Sequence, residues 1–198
     1  MILIKEAIPI SSIEIVNSYL LKWNVNIKIV KKRKSKHGDF KIKKDGSHEI
    51  TINNSQNKYR FLITLIHELS HYIAFNDYGY KIKPHGIEWK RTYKKNMLPL
   101  LNPLIFPDKL LSLLANHMKN PKASSDSDFN LTLELKKYDI KSDKVFIFEL
   151  INGTIFILDN GRKFKKIKKR QKRYECLELK SGKIFLFSPH AEVLVLKE

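Results

Sequence analysis

Two histidines and a glutamate stand at a spacing that can bind and use a metal ion. His67, Glu68 and His71 form the pattern H-E-x-x-H within the stretch 58–75, whose apolar residues follow a helical period. Residues four apart in a helix lie one above the other on the same face, so the two imidazoles can reach one ion. Glu68 lies beside them, where its carboxylate can take a proton from a metal-bound water. The spacing therefore indicates the helix of a zinc hydrolase.

The apolar residues around this pattern support a helix. They recur every three or four positions, as on a buried helical face, at Leu62, Leu65, Ile66, Leu69 and Ile73. Ser55 and Asn57 are both suited to cap its start. Two imidazoles and a carboxylate beside such a stripe would each need a polar partner without a metal. This cost favours a metal site over a plain amphipathic helix.

A catalytic zinc site takes three protein ligands and leaves the fourth position to water. The metzincin pattern requires Gly and His at fixed places after the motif, and it fails because Ala74 and Asp77 stand there. Two later residues, His85 and Glu88, remain as third ligands, and chemistry alone does not exclude the glutamate.

We prefer His85 as the third ligand. Pro84 and Gly86 interrupt regular structure on either side of it, and Gly79 allows the chain to reverse after the first helix. A reversal there brings the start of a second helix, about 87–97, back to the first.

The sequence H-E-L-S-H at 67–71, followed by P-H-G-I-E-W-K-R at 84–91, resembles the SprT-like (Spartan-type) metalloproteases. Their pattern is H-E-x-x-H with a later H-G-x-x-[FW]. The hairpin that starts at 38–40 and ends at 50–53 is similar to the same domain, and N-P-K-A-S-S at 120–125 resembles SprT-like proteins of Bacteroidetes-type bacteria.

The resemblance implies a zincin-like peptidase fold with Zn²⁺ as cofactor. It implies that His67, His71 and His85 are the zinc ligands and that Glu68 is the catalytic base. Several members of the family cleave proteins attached to DNA, and the resemblance implies such substrates as an expectation for this chain. The spacing by itself supports only metal-assisted hydrolysis.

The order of elements predicts an α+β fold in two domains. A helix, short strands and the metal helix, with a hairpin signal at Asp45-Gly46, indicate helices beside a small antiparallel sheet in domain 1–142. Past residue 143, short apolar runs alternate with N-G and S-G turns, which indicates a basic all-β domain, 143–198.

SprT-like proteins often end in a four-cysteine zinc ribbon, and this chain departs from that pattern. Cys176 is its only cysteine, and one thiolate cannot build such a site. We therefore expect a metal-free β-domain as the degenerate counterpart of the ribbon. A single cysteine and the lack of a signal peptide predict a reducing, cytoplasmic location, with nucleoid association in keeping with the charge. The most apolar later stretch, 97–106, is too short to span a bilayer, so no membrane partner is expected.

The formal net charge of +18 favours a polyanionic partner. Clustered cations release counterions from phosphates and give salt-dependent binding to DNA or RNA with little sequence readout. The residues predicted to contact nucleic acid lie in two clusters, Lys31, Lys32, Arg33 and Lys34 in the first, and Lys165, Lys166, Lys168, Lys169, Arg170, Lys172 and Arg173 in the second.

These patterns together predict a zinc endopeptidase that acts on nucleic-acid-associated proteins. An oxyanion needs a donor besides the metal, and Tyr72, Tyr78 and Tyr80 are the nearby candidates. Two alternatives remain open: a nucleic-acid-binding protein with an inactive or structural metal site, and a metal hydrolase of small substrates. The intact Glu68 argues against a structural site, since such a site needs no base.

Overall fold

Helices dominate the first part of the chain and strands the last. The computed structural model describes residues 3–33, 36–54, 57–140 and 143–196. The chain separates into two units, Met1–Ile140 and Lys141–Glu198. The predicted α+β class is confirmed, with a helical unit that carries a small sheet and a second, all-β unit. No helix in the described residues is long and apolar enough to cross a membrane.

The first unit contains six helices and three strands within the described residues. The helices are α1 (Ile4–Ala7), α2 (Ile13–Trp23), α3 (Lys58–Tyr78), α4 (Ile87–Met97), α5 (Asp108–Lys119) and α6 (Phe129–Lys136). The strands are β1 (Asn26–Val30), β2 (Gly38–Ile42) and β3 (His48–Asn53). Single 3₁₀ turns occur at Ile10–Ser12, Leu98–Leu100 and Ser125–Ser127.

The sheet has the order β1-β3-β2. The predicted hairpin is present: β2 and β3 are antiparallel, and Gly46 at φ 79° forms the turn between them. The expectation of a purely antiparallel sheet is wrong, because β1 runs parallel to β3. The alternation of residues in β1 predicts a strand but carries no information about its direction. Since β1 lies at the edge of β3 opposite to β2, only the long-range arrangement decides that direction.

Helix α3 is the centre of the first unit. Its cap is Asn57, whose side chain accepts a hydrogen bond from the Arg60 N–H at 2.8 Å, while Ser55 lies outside the described residues. The predicted apolar stripe is buried along its length and packs against Ile50 and Ile52 of β3 and against α4 and α5. The helix ends at Gly79, whose φ of 74° is a left-handed conformation that favours glycine.

The second unit is a six-stranded antiparallel sheet of order β4-β9-β5-β6-β7-β8. Its strands are β4 (Lys144–Phe146), β5 (Ile155–Ile157), β6 (Lys163–Arg170), β7 (Arg173–Glu178), β8 (Ile184–Phe187) and β9 (Glu192–Val195). The long basic segment is therefore not a flexible loop: it supplies β6, the turn after it and the start of β7. Phe156, Phe164, Cys176 and Val193 are among the residues of a small apolar core.

Candidate metal centre

Three imidazoles converge at the centre of the first unit. His67 and His71 lie one turn apart on α3, and their Nε2 atoms are 3.2 Å apart. His85 Nε2 lies 3.2 Å from that of His67 and 3.0 Å from that of His71. Ligands at zinc–nitrogen distances near 2.05 Å in a tetrahedron are about 3.3 Å from one another, so this donor set fits a zinc ion. Within the described residues, it is the one cluster of three potential ligands.

The three rings are held in the form that a metal requires. Burial and repulsion from the neighbouring imidazoles lower the pKa of His67 to about 2. The same two causes lower the pKa of His71 to about 3, and burial lowers that of His85. At neutral pH all three rings are therefore uncharged, and a metal ligand must have its lone pair free.

A tight turn delivers His85 to the helix. The Gly86 N–H donates to the Lys83 carbonyl at 2.8 Å, and His85 has a φ of 59°, a left-handed conformation that costs a non-glycine residue about 1 kcal/mol. A Cβ at position 86 would lie 2.9 Å from the same carbonyl oxygen, so glycine is needed there. Glu88, the other candidate ligand, stands in the first turn of α4 and is not in the histidine cluster.

Two aromatic residues of α4 form a wall behind the imidazoles. The Trp89 ring lies 4.6 Å from the rings of both His67 and His85 and stacks on that of His71 at 5.1 Å. Tyr93 stacks on Trp89 at 4.9 Å, and both side chains are almost fully buried. Neither was predicted as a site residue from the sequence, although Trp89 is the aromatic residue of the H-G-x-x-[FW] pattern and Tyr93, four residues later, shares its helical face. They fix the ring planes and exclude water from that side.

Glu68 faces the other neighbour of α3, strand β2. Its carboxyl is buried, and Gly38 of β2 lies directly against the Glu68 side chain. Burial raises the pKa of Glu68 to about 8, the charge of Asp39 acts in the same direction, and the Phe40 N–H opposes both. A carboxyl with this pKa can both accept and release a proton near neutral pH.

The close approach of β2 to Glu68 depends on Gly38. A Cβ at this position would lie 2.8 Å from both Glu68 Cγ and Thr64 Cγ2, closer than such atoms can approach. The strand can therefore reach the helix only where it has no side chain.

The three tyrosines proposed as oxyanion donors have different surroundings. Tyr72 donates its hydroxyl hydrogen to the Trp23 carbonyl at 3.0 Å, so that hydroxyl already has a structural role. Tyr78 and Tyr80 are 50% and 81% exposed at the end of α3 and beyond it. None of the three is thereby identified as the donor.

The residues of the first basic cluster, 31–34, have different surroundings. Lys31 and Lys32 are exposed, and Lys34 lies outside the described residues. Arg33 does not fit the prediction, because its guanidinium binds the Asp39 carboxylate, the Asn53 side chain at 2.9 Å and the Thr51 hydroxyl at 2.8 Å. These bonds brace the sheet and occupy the donors that a phosphate would need.

The second basic cluster lies on the β6–β7 hairpin, and all but one of its residues are exposed. The residues Lys165, Lys168, Lys169, Arg170, Lys172 and Arg173 are exposed along β6, its turn and the start of β7. Lys166 does not fit the prediction: it is 4% exposed, its ammonium donates to the Leu150 carbonyl, and it lies 4.1 Å from the centre of the Tyr174 ring. Successive residues of a strand point to opposite faces, so Lys166 shares the inner face with Phe164.

A family profile described as the SprT-like family matches residues 14–99. The match runs from α2 through α4 and includes the three clustered histidines and Glu68, while the second unit lies outside it. No curated protein and no solved structure matches the chain.

Proposed function

Residues 14–99 of this chain belong to the SprT-like family, and from this membership and the geometry of the site we propose that the first unit is a zinc-dependent peptidase. The observation that carries the proposal is the convergence of three Nε2 atoms within 3.2 Å of one another, with the buried carboxyl of Glu68 next to them in sequence. A structural zinc site would have no use for this carboxyl, whose burial opposes its ionised form.

His67, His71 and His85 would hold the ion through their three clustered Nε2 atoms. Bound there, it would supply Lewis-acid chemistry that activates a water and polarises a carbonyl. Glu68 takes the proton from the water and later gives it to the leaving amine, so that one carboxyl serves both steps. Gly38 supports this role because its backbone lies against the Glu68 side chain and limits where the carboxyl can move.

We also propose that the substrates are proteins bound to nucleic acid. The support is the surface of the second unit, where the β6–β7 turn is surrounded by Lys168, Lys169, Arg170, Lys172 and Arg173. Among the described residues, Glu175 is the one carboxylate that pairs with them. Such a turn can neutralise several phosphates without reading base sequence. A cytoplasmic, nucleoid-associated location would follow from that partner.

The test compares zinc content and cleavage of labelled casein for the wild type, Glu68→Gln and His85→Ala, with and without DNA. Glu68→Gln is expected to keep its zinc and lose cleavage by at least about 100-fold, because the base is absent. His85→Ala is expected to lose zinc. The control is Glu88→Gln, a carboxylate close in sequence to His85, and it should retain both.

Two outcomes would refute parts of this proposal. If Glu68→Gln cleaves as fast as the wild type, the protein is not a peptidase of this mechanism. If Glu88→Gln loses zinc while His85→Ala retains it, the third ligand is the glutamate. Equal rates with and without DNA, together with good cleavage of short peptides, would favour a hydrolase of small substrates.

A further inference from the structure

One face of α3 carries Glu68 and also Arg60, through which strand β2 is anchored to the helix. Arg60, Thr64 and Glu68 are four residues apart and so lie along the same face. Gly38, the first residue of β2, approaches this face against Thr64 and Glu68. The position of β2 along α3 therefore decides how closely Gly38 lies against the Glu68 side chain and its carboxyl.

A single carboxylate joins the helix to the residue that precedes β2. Asp126 Oδ1 accepts a hydrogen bond from the Arg60 guanidinium at 2.8 Å, two turns before Glu68. Asp126 Oδ2 lies 2.7 Å from His37 Nε2, and His37 immediately precedes Gly38. The Asp126 N–H is itself held by the Ser124 hydroxyl at 3.1 Å, so the carboxylate comes from an ordered turn.

On the C-terminal side of Gly38, strand β2 is held against α3 by aromatic packing. The Phe40 ring lies 5.8 Å from that of Tyr72 and 6.1 Å from that of Phe75, both on α3 beyond Glu68. Gly38, which lies against Glu68, stands in the strand between this packing and the His37–Asp126–Arg60 bridge. The bridge is thus the anchor on the open, N-terminal side of the strand.

We propose that Asp126, acting through His37, is a positioning residue that holds β2 where Gly38 lies against the Glu68 side chain and so keeps the Glu68 carboxyl in place. The inference rests on the proposed function, because Glu68 is taken as the base. It extends the site to the turn 124–128, which lies outside the part of the chain that matches the family. The bridge affects proton transfer rather than metal binding, because none of its three side chains is among the three clustered histidines.

The decisive variant is His37→Ala, which removes the strand side of the bridge and leaves the Arg60–Asp126 ion pair intact. Displacements of about 1 Å at reacting groups cost up to about 100-fold in rate, so we expect kcat for labelled casein to fall by about 10-fold or more. KM should stay within about 2-fold of the wild type, because substrate contacts are unchanged. Zinc content and the visible absorption of the cobalt-substituted protein should also be unchanged.

Two further variants separate positioning from general destabilisation. His37→Gln retains an N–H near the place of Nε2 and should recover most of kcat. Asp139→Ala removes a carboxylate that receives the Asn57 side-chain N–H at 2.6 Å, and so also anchors α3 near its start without touching β2. This matched control should lose thermal stability and keep its kcat.

A double variant links the effect to Glu68. In the Glu68→Gln background, His37→Ala should cause no additional loss, because both changes remove the same contribution. The inference is overturned if His37→Ala keeps wild-type kcat, if its loss persists in the Glu68→Gln background, or if Asp139→Ala loses kcat equally. An active Glu68→Gln would refute the proposed function instead, so the two failures are distinguishable.

Discussion

The two units differ in where their ionisable residues lie. The first buries Glu68 and partly buries His67 and His71 beside it on α3, against the preference of each for water. The second keeps most of its cations on the surface, and the one buried lysine among its described residues, Lys166, has the Leu150 carbonyl as a partner. Burial that opposes ionisation is costly for folding, so groups gathered in this way indicate chemistry. Exposed cations cost little, so they indicate binding at most.

The largest expected effect tests whether the metal belongs to the first unit alone. His71→Ala should lower both bound zinc and casein cleavage by more than about 100-fold, because two imidazoles hold zinc weakly. Cys176→Ala in the second unit should leave one zinc per chain. Metal analysis by mass spectrometry after dialysis measures both, and loss of zinc from Cys176→Ala would contradict the contrast between the units.

Removal of the metal should destabilise the units unequally. A ligand present at about 1,000 times its dissociation constant stabilises the folded state by about 4 kcal/mol. Chelation should therefore lower the melting temperature of the first unit by several degrees and leave the second unchanged. Hydrogen exchange with and without chelator resolves the units, and equal deprotection of β6 and α3 would show that the metal stabilises both.

The turn between β6 and β7 should dominate binding to nucleic acid. Replacing Lys168, Lys169 and Lys172 by Gln should flatten the salt dependence of DNA affinity by about 0.7–0.9 log units per lost phosphate contact. Cleavage of casein without DNA should be unchanged. Fluorescence anisotropy at several salt concentrations measures the slope, and a slope equal to that of the wild type would remove this turn from the binding surface.

Neighbouring lysines of β6 should behave differently. Lys166→Ala leaves the buried Leu150 carbonyl without its donor and should destabilise the second unit by about 1–3 kcal/mol. Lys165→Ala, on the exposed face, should change stability by less than about 0.5 kcal/mol. Urea unfolding followed through Tyr174 measures both. Equal effects would show that burial does not separate the two residues.

The smallest effect concerns acid stability of the first unit. Burial alone would raise the pKa of Asp126, yet the hydrogen bonds and charges of His37 and Arg60 lower it from 3.8 to about 2. The unfolded chain therefore binds more protons between these two values, so this contribution is present above pH 4 and is lost as the pH falls toward 2. The stability difference between wild type and Asp126→Asn should shrink over that window in thermal unfolding curves.

The sequence predicted the groups that do chemistry better than the surroundings that orient them. The positions of His67, Glu68 and His71 follow from helical geometry, and the helix itself follows from its apolar period. The approach of β2 does not, because Gly38 meets Glu68 through a long-range contact that no local pattern encodes. The parallel direction of β1 was missed for the same reason.

The sequence also led us to predict the same nucleic-acid-binding role for every cation of the two basic clusters, and two of them have other roles. Arg33 and Lys166 look like their neighbours in a basic run, but one braces the sheet through Asp39 and the other faces the core. Strand alternation would have separated Lys166 from Lys165 if the run had been recognised as a strand. Its nine cations in twelve residues concealed the inward-facing positions of Phe164 and Lys166.

The absence of a side chain at Gly38 offers a way to obtain a substrate trap. Gly38→Ala would place a methyl group against Glu68 Cγ and Thr64 Cγ2, and either the strand or the carboxyl would have to shift. The variant would retain all three imidazoles, the carboxyl and every surface cation, so recognition would be intact while turnover is slow. Unlike a variant that lacks the carboxyl, it would hold its targets with every polar group of the natural site present and would allow them to be isolated uncleaved.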